Sequence, residues 1–140
     1  MKLRLAAACL LLAGCGGTLP YQKTAPDNVL LASSIQSRMK GTLHVHAVDG
    51  CGTRYLGSVD LDRPSVAVGL PADRESYLVF SFDSASLFGA KTSTSVGTLF
   101  RPRSGQRYEF AVTYRDSIYR VTMREAGSTR ELPKRDLPRC

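Results

Sequence analysis

The side chains in this 140-residue sequence that are best suited to chemistry include its only two histidines, His44 and His46. Their i, i+2 spacing on an extended strand places both imidazoles on the same, solvent-facing side. Two such imidazoles can bind zinc or copper when a third ligand, such as Asp49, completes the set. A metal or small-ligand site at His44 and His46 is therefore one hypothesis, and a pair of surface imidazoles without a ligand is the other.

Catalytic groups give weaker signals than the histidines. The sequence contains no Gly-x-Ser-x-Gly nucleophile motif and no Cys-x-x-Cys pair, although a Ser-His-Asp triad can also assemble from distant positions. We expect no catalytic residue, no cofactor and no bound metal. The protein is accordingly predicted not to be an enzyme.

The start of the chain has the pattern of an export signal. Residues 1–4 carry two positive charges and precede an apolar run of nine residues, 5–13. A membrane-spanning helix needs roughly 20 apolar residues, whereas a charged start and a short apolar run are typical of a secretory signal peptide. We expect residues 1–14 to be removed on export.

The end of this signal, Leu12-Ala13-Gly14-Cys15, resembles the lipobox of bacterial lipoproteins. The resemblance implies cleavage before Cys15, a diacylglycerol on its sulfur and an acyl chain such as palmitate on its new amino group. Several acyl chains on one residue are enough for stable membrane attachment. Gly16 stands where Asp commonly retains such proteins in the inner membrane, so the resemblance implies the outer membrane, facing the periplasm or the cell surface. An ordinary signal peptide that contains a cysteine is the alternative.

Processing of this kind would leave two cysteines for other roles. Cys9 would leave with the signal and Cys15 would carry lipid, so Cys51 and Cys140 remain. An even number of cysteines in an exported chain predicts a disulfide. A bridge closing about 90 residues is worth roughly 4–5 kcal/mol in the chain-entropy model. Two free thiols, or a bridge to a partner, are the alternatives.

The positive charge is concentrated near the end of the chain. The formal net charge is +7, and residues 101–140 contain ten Lys or Arg against five Asp or Glu. Arg115, Arg120 and Arg124 lie on the outward face of the last predicted hairpin, and arginine suits carboxylate or phosphate groups. An exported protein is expected to meet an acidic envelope protein or lipid headgroups, not nucleic acid. The alternative is a solvated face that protects an outer strand from aggregation.

The composition, 43% hydrophobic and 22% charged, fits one globular domain, predicted over residues 27–140. Residues 15–26 contain Gly and Pro without periodicity and are predicted to be the lipidated cysteine and a flexible tether. If extended, residues 16–26 would span about 35–40 Å. Asp27 could then cap a short helix within residues 27–40.

From Gly41 onward, apolar residues alternate with a period of two, which predicts strands. Seven strands are predicted, at residues 43–48, 53–60, 65–70, 76–83, 95–101, 108–115 and 118–124. A two-residue turn at Asp116-Ser117 would place three apolar pairs of the last hairpin opposite each other, although this pair is not a preferred turn sequence. Those pairs are Phe110 with Met123, Val112 with Val121 and Tyr114 with Tyr119; on the other face, Glu109 meets Arg124 and Thr113 meets Arg120.

The tyrosines suggest two roles. A sugar-binding platform is one, but three of the five considered lie on the predicted core face of the last hairpin, so core packing is the preferred interpretation. The five are Tyr55, Tyr77, Tyr108, Tyr114 and Tyr119.

Seven short strands joined by Gly, Pro, Ser and Asp turns predict an all-β fold, an antiparallel β-sandwich. Residues 66–80 are also similar to the central hairpin of transthyretin-like and PEGA-type modules, with Asp73 in place of the usual Gly. That resemblance implies an envelope-exposed binding or accessory module without catalysis, as in some secretion-system lipoproteins.

Overall fold

All regular secondary structure in the described part of the chain is β. The computed structural model describes residues 18–84 and 91–140, so the predicted signal, Cys15 and part of the predicted loop 84–94 lie outside it. The eight strands are β1 (Val29–Ile35), β2 (Met39–Asp49), β3 (Gly52–Asp60), β4 (Ser65–Val68), β5 (Ser76–Ser84), β6 (Ser93–Phe100), β7 (Tyr108–Arg115) and β8 (Ile118–Glu125).

The helix predicted within residues 27–40 is wrong, because this segment contains β1 and the start of β2. Burial alternates along β1: Val29 and Leu31 are buried, whereas Leu30 between them is exposed. The strand lies between β4 and β7 and pairs with both. Hydrogen bonding to two distant neighbours therefore outweighs the weak local helix signal, and residues 18–84 and 91–140 contain eight strands where seven were predicted.

The strands form two four-stranded sheets, ordered β4-β1-β7-β8 and β3-β2-β5-β6. All neighbouring strands are antiparallel except β1 and β7, which run parallel from Val29 opposite Tyr108 to Ile35 opposite Tyr114. The predicted all-β sandwich is confirmed, with one parallel pair that the antiparallel prediction did not include.

Aromatic side chains from both sheets meet in the core. The ring centroid of Phe82 on β5 lies 5.2 Å from that of Tyr114 on β7, and Phe100 on β6 lies 4.9 Å from Tyr108 and 5.0 Å from Phe110. All five side chains are buried. Because full burial of a large apolar side chain contributes roughly 1.5–3 kcal/mol, these contacts hold the two sheets face to face.

The register predicted for the last hairpin is confirmed at every pair named above. The turn residues Asp116 and Ser117 both have positive φ, 51° and 65°, the combination of a type I′ turn. The backbone N–H of Asp116 donates to Oε1 of Gln36 at 2.8 Å. This tertiary hydrogen bond helps to hold a turn whose sequence is not a preferred one.

The segment from β4 to β5 crosses between the sheets, since β4 and β5 belong to different sheets. The hairpin expected there is therefore a crossover. Asp73 has φ 59°, in the left-handed region that favours glycine. Hydrogen bonds from the Ser104 hydroxyl and backbone N–H to the Asp73 carboxylate, together with the charge of Arg101, lower the pKa of Asp73.

Part of the predicted tether is bound along the edge of β3. The N–H of Tyr21 donates to the carbonyl of Ser58 at 2.9 Å, and the N–H of Ser58 donates to the carbonyl of Leu19 at 2.8 Å. The Tyr21 hydroxyl donates to the carbonyl of Gly69 at 2.8 Å. Residues 19–21 therefore close the side of the sandwich between β3 and β4, and they are not a flexible part of the tether.

The opposite side, between β6 and β8, is closed by residues 132–135, which belong to the C-terminal segment 131–140 that we call the strap. The strap then continues to the turn between β2 and β3. The N–H of Leu132 donates to the carbonyl of Met123 at 2.7 Å, and the N–H of Leu99 donates to the carbonyl of Arg135 at 2.8 Å. At its end, the Cα atoms of Cys51 and Cys140 lie 5.9 Å apart, a separation that suits a disulfide. This placement supports the predicted bridge.

Candidate functional site

Both histidines lie on the outward face of the β3-β2-β5-β6 sheet, as predicted. Nε2 of His44 lies 2.9 Å from Oγ of Ser81 on β5. His46 pairs with Tyr55 of β3 on one side and with Tyr77 of β5 on the other. Its ring centroid lies 5.2 Å from that of Tyr55 and 6.1 Å from that of Tyr77.

The surroundings of His46 favour its uncharged form. Burial lowers the pKa of His46 below its ordinary value of 6.5, and the charge of His44 lowers this pKa further. Within residues 18–84 and 91–140, no group of three or more His, Cys, Asp or Glu side chains is placed to hold a metal. Asp49, the suggested third ligand, therefore does not complete such a group with the histidines, and the metal hypothesis gains no support.

We call His44, His46, Tyr55 and Tyr77 the ring platform. The Tyr55 ring centroid also lies 6.1 Å from that of His44, so the four rings are contiguous across three neighbouring strands. Sequence reasoning assigned the histidines to this face but did not group the tyrosines with them. The missing information was the register: a bulge between Val45 and His46 shifts β3 so that Tyr55 lies opposite His46.

The remaining tyrosines have a different role. Tyr108 and Tyr114 are buried between the sheets, as predicted. Tyr119 also lies on the inward side of β8, and its ring stacks on Phe82 at 5.7 Å, but 39% of it stays exposed at the sheet edge. Core packing therefore explains these three tyrosines and leaves Tyr55 and Tyr77 unexplained.

The second surface is the outward side of the β4-β1-β7-β8 sheet, which we call the arginine face. Arg115, Arg120 and Arg124 are all exposed on it, as predicted. Nη2 of Arg124 lies 3.0 Å from Oε2 of Glu109, which compensates its charge. Arg115 and Arg120 form no salt bridge with any described residue, so their charges remain available to a partner.

Apolar side chains accompany the arginines. Ile118, opposite Arg115, is 73% exposed, and Leu30 on β1 is 47% exposed opposite Glu109. Arginine next to exposed apolar groups is a composition common in protein–protein interfaces. The arginine face therefore has features of a surface that binds another protein.

Comparisons with protein-family models, with curated proteins and with solved structures each gave no match. A search of the described residues for a helix long and apolar enough to cross a membrane found none.

Proposed function

We propose that this chain is an outer-membrane lipoprotein, held by diacylglycerol and palmitate on Cys15, whose β-sandwich is a non-enzymatic binding or accessory module of a cell-envelope assembly. The observation that carries the proposal is the Leu12-Ala13-Gly14-Cys15 motif after a charged start and a short apolar run. The sandwich fold and the Cys51–Cys140 placement fit an exported protein.

The bound N-terminal segment limits how far such an anchor allows the domain to move. Leu19, whose carbonyl is hydrogen-bonded to β3, follows Cys15 by four positions along the chain. Extended chain spans at most about 14 Å over that length. The anchor would therefore hold the domain beside the membrane by its β3 edge, and the β8 edge with Arg120 and Arg124 would lie on the far side.

The far side carries the surface proposed for the protein partner. Arg115 and Arg120 are uncompensated among the described residues, and Leu30 and Ile118 supply apolar contact area on the same face. An envelope protein with an acidic, partly apolar face fits this combination. Nucleic acid is not proposed as a partner, because an exported, membrane-anchored protein would rarely meet it.

Metabolic labelling with palmitate tests the anchor. The wild-type protein should incorporate label and fractionate with the outer membrane, and Cys15→Ala should abolish both. Cys9→Ala is the matched control and should label normally, because Cys9 lies within the signal. Absence of label from the wild-type protein, or equal labelling of the Cys15→Ala variant, would overturn the anchor.

Chemical cross-linking in intact cells tests the partner surface. Replacing Arg115 and Arg120 together by Ala should remove a cross-linked complex, and raising the salt concentration before cross-linking should weaken it, since salt screens exposed charges. The control variant removes two exposed arginines elsewhere, Arg54 and Arg74, and should keep the complex. A complex that survives the first variant, or disappears equally in both, would contradict a role of the arginine face.

A further inference from the structure

The rings of the platform are arranged more regularly than solubility alone requires of surface side chains. Tyr55, His46 and Tyr77 occupy one row across β3, β2 and β5, directly opposite each other in register. Neighbouring strands lie about 4.8 Å apart, so the row extends across about 10 Å. It forms a continuous band of ring surface on the outward face of this sheet, next to the strap, which accepts a hydrogen bond from Leu99 at the β6 end of the same row.

Local contacts hold two of these rings, those of Tyr77 and His44, in place. Tyr77 lies across Gly97 of the neighbouring strand β6, where a Cβ atom would overlap the Tyr77 hydroxyl. The Tyr77 ring therefore lies down over β6 instead of projecting away from the sheet. On the next row, Nε2 of His44 lies within hydrogen-bond distance of Oγ of Ser81, and this contact restrains the His44 imidazole. Rings that are already ordered lose little conformational entropy when a ligand binds.

All four rings are also accessible to a ligand. Tyr55 is 39% exposed, and His44, His46 and Tyr77 are half-buried. The surface they offer combines apolar ring faces with polar groups at the edges, namely phenol hydroxyls and imidazole nitrogens.

This combination selects a class of ligand. A purely apolar ligand would cover the polar edges without satisfying them, which is costly. The four rings themselves offer an anion little positive charge, because burial lowers the pKa of His46. A pyranose sugar fits both features, since it has an apolar face of C–H groups and a rim of hydroxyls. The length of the row suits an oligosaccharide better than a single sugar.

We propose that the ring platform binds a pyranose oligosaccharide, with sugar rings stacked on Tyr55 and Tyr77 and with His46 hydrogen-bonded to sugar hydroxyls between them. The assignment of this glycan to the cell envelope rests on the proposed function. The binding itself does not depend on the lipid anchor. The platform lies on the opposite sheet from the arginine face, so glycan and protein partner would occupy separate surfaces.

Calorimetric titration of the purified full-length protein with two probes tests the proposal. The probes are the tetrasaccharides of β-linked N-acetylglucosamine and of β-linked glucose. Saturable binding of either probe supports it, and a preference for the acetylated probe would point to cell-wall glycan as the source. Failure of both probes to bind, or binding of inorganic phosphate in their place, would overturn it.

Substitution then locates the site. Tyr55→Ala should weaken oligosaccharide binding at least tenfold, and Tyr77→Ala should do the same. Tyr119→Ala is the matched control: Tyr119 is also 39% exposed but lies outside the platform, and its loss should leave affinity unchanged. Circular dichroism checks that each variant is folded, and the edge position of Tyr55 makes that variant the safer of the two. Equal weakening in Tyr55→Ala and Tyr119→Ala would overturn the assignment.

The two sets of experiments fail independently. A protein that binds glycan but takes up no palmitate would remove the anchor and keep the platform. A labelled protein that binds neither tetrasaccharide would keep the anchor and remove the platform.

Discussion

The two open sides of the sandwich are closed by opposite ends of the chain and in different ways. On the β3–β4 side, residues 19–25 pack closely against two glycines, because Gly57 faces Tyr21 and Gly69 faces Ala25. On the β6–β8 side, the strap is held by a few backbone hydrogen bonds and by the Cys51–Cys140 pair at its end. One side depends on close packing and the other on a covalent link.

The two chain segments therefore depend on different interactions to stay in place. The strap is largely exposed, and its ion pair between Arg135 and Glu75, at 2.9 Å, lies near the surface. Exposed ion pairs contribute little to stability. Without the disulfide, few interactions would keep the strap in place, whereas the N-terminal segment should stay bound as long as the two glycines are present.

The largest expected effect comes from removing the covalent link. Replacing Cys51 and Cys140 together by Ala should lower the free energy of unfolding by about 4–5 kcal/mol, because the link restricts the unfolded chain over 89 residues. Chemical denaturation measures this change. A reductant should destabilise the wild-type protein to a similar extent and leave the variant unaffected. A loss below about 1 kcal/mol would show that the strap does not depend on the link.

Substitution of Gly57 tests the packed side. Gly57 has φ +139°, and a Cβ atom there would lie 2.6 Å from Cα of Tyr21. Gly57→Ala should therefore cost about 3 kcal/mol and detach residues 19–21, which limited proteolysis would detect. Gly105→Ala is the control: Gly105 has φ +74° with nothing within 4 Å, so it should cost only about 1 kcal/mol of backbone strain. Equal losses would mean that close packing is not the cause.

A smaller effect is expected from the hydroxyl of Tyr21. The Tyr21 hydroxyl donates to the carbonyl of Gly69, and burial raises the pKa of Tyr21 above its ordinary value of 10.0. Tyr21→Phe should lower the free energy of unfolding by about 1 kcal/mol through loss of this hydrogen bond. Tyr119→Phe, at an exposed edge, should change it by less than about 0.5 kcal/mol. If both variants unfold at the same denaturant concentration, this hydrogen bond does not hold the N-terminal segment.

The smallest expected effect is a change of stability with pH, and it involves neither of the two closed sides of the sandwich. His46 has a lowered pKa in the folded protein, so the unfolded chain binds its proton more readily. Its stabilising contribution is fully present above pH 6.5 and declines as pH falls toward the lowered value. NMR titration should give His46 a pKa below 6.5, and His44→Gln should raise it part of the way back. A pKa of His46 at or above 6.5 in the wild-type protein would contradict this prediction.

Local patterns predicted the central strands well. In β5, Leu78, Phe80 and Phe82 alternate with less buried residues and lie in the core as expected. The last hairpin could be aligned residue by residue, because a slip of one position would have moved its apolar side chains to the wrong face.

The same local patterns could not predict pairing between segments that are distant in the sequence. β1 is a strand because β4 and β7 pair with it, and neither partner is near it in the sequence. Residues 19–21 look like a linker, yet they pair with β3 where Gly57 leaves room. The ring platform was missed for a similar reason: its row depends on a bulge and on the register of three strands, whereas the histidine and arginine positions followed from alternation alone.

We propose that the mature protein begins at Cys15 and carries lipid there. Intact mass spectrometry of the protein purified from membranes tests it directly. We predict an intact mass equal to that of residues 15–140 plus a diacylglycerol and an acyl chain. After proteolysis, the added mass should be found only on the N-terminal peptide that contains Cys15. A mass that corresponds to the uncleaved chain, or to a chain cut elsewhere without lipid, would contradict the account.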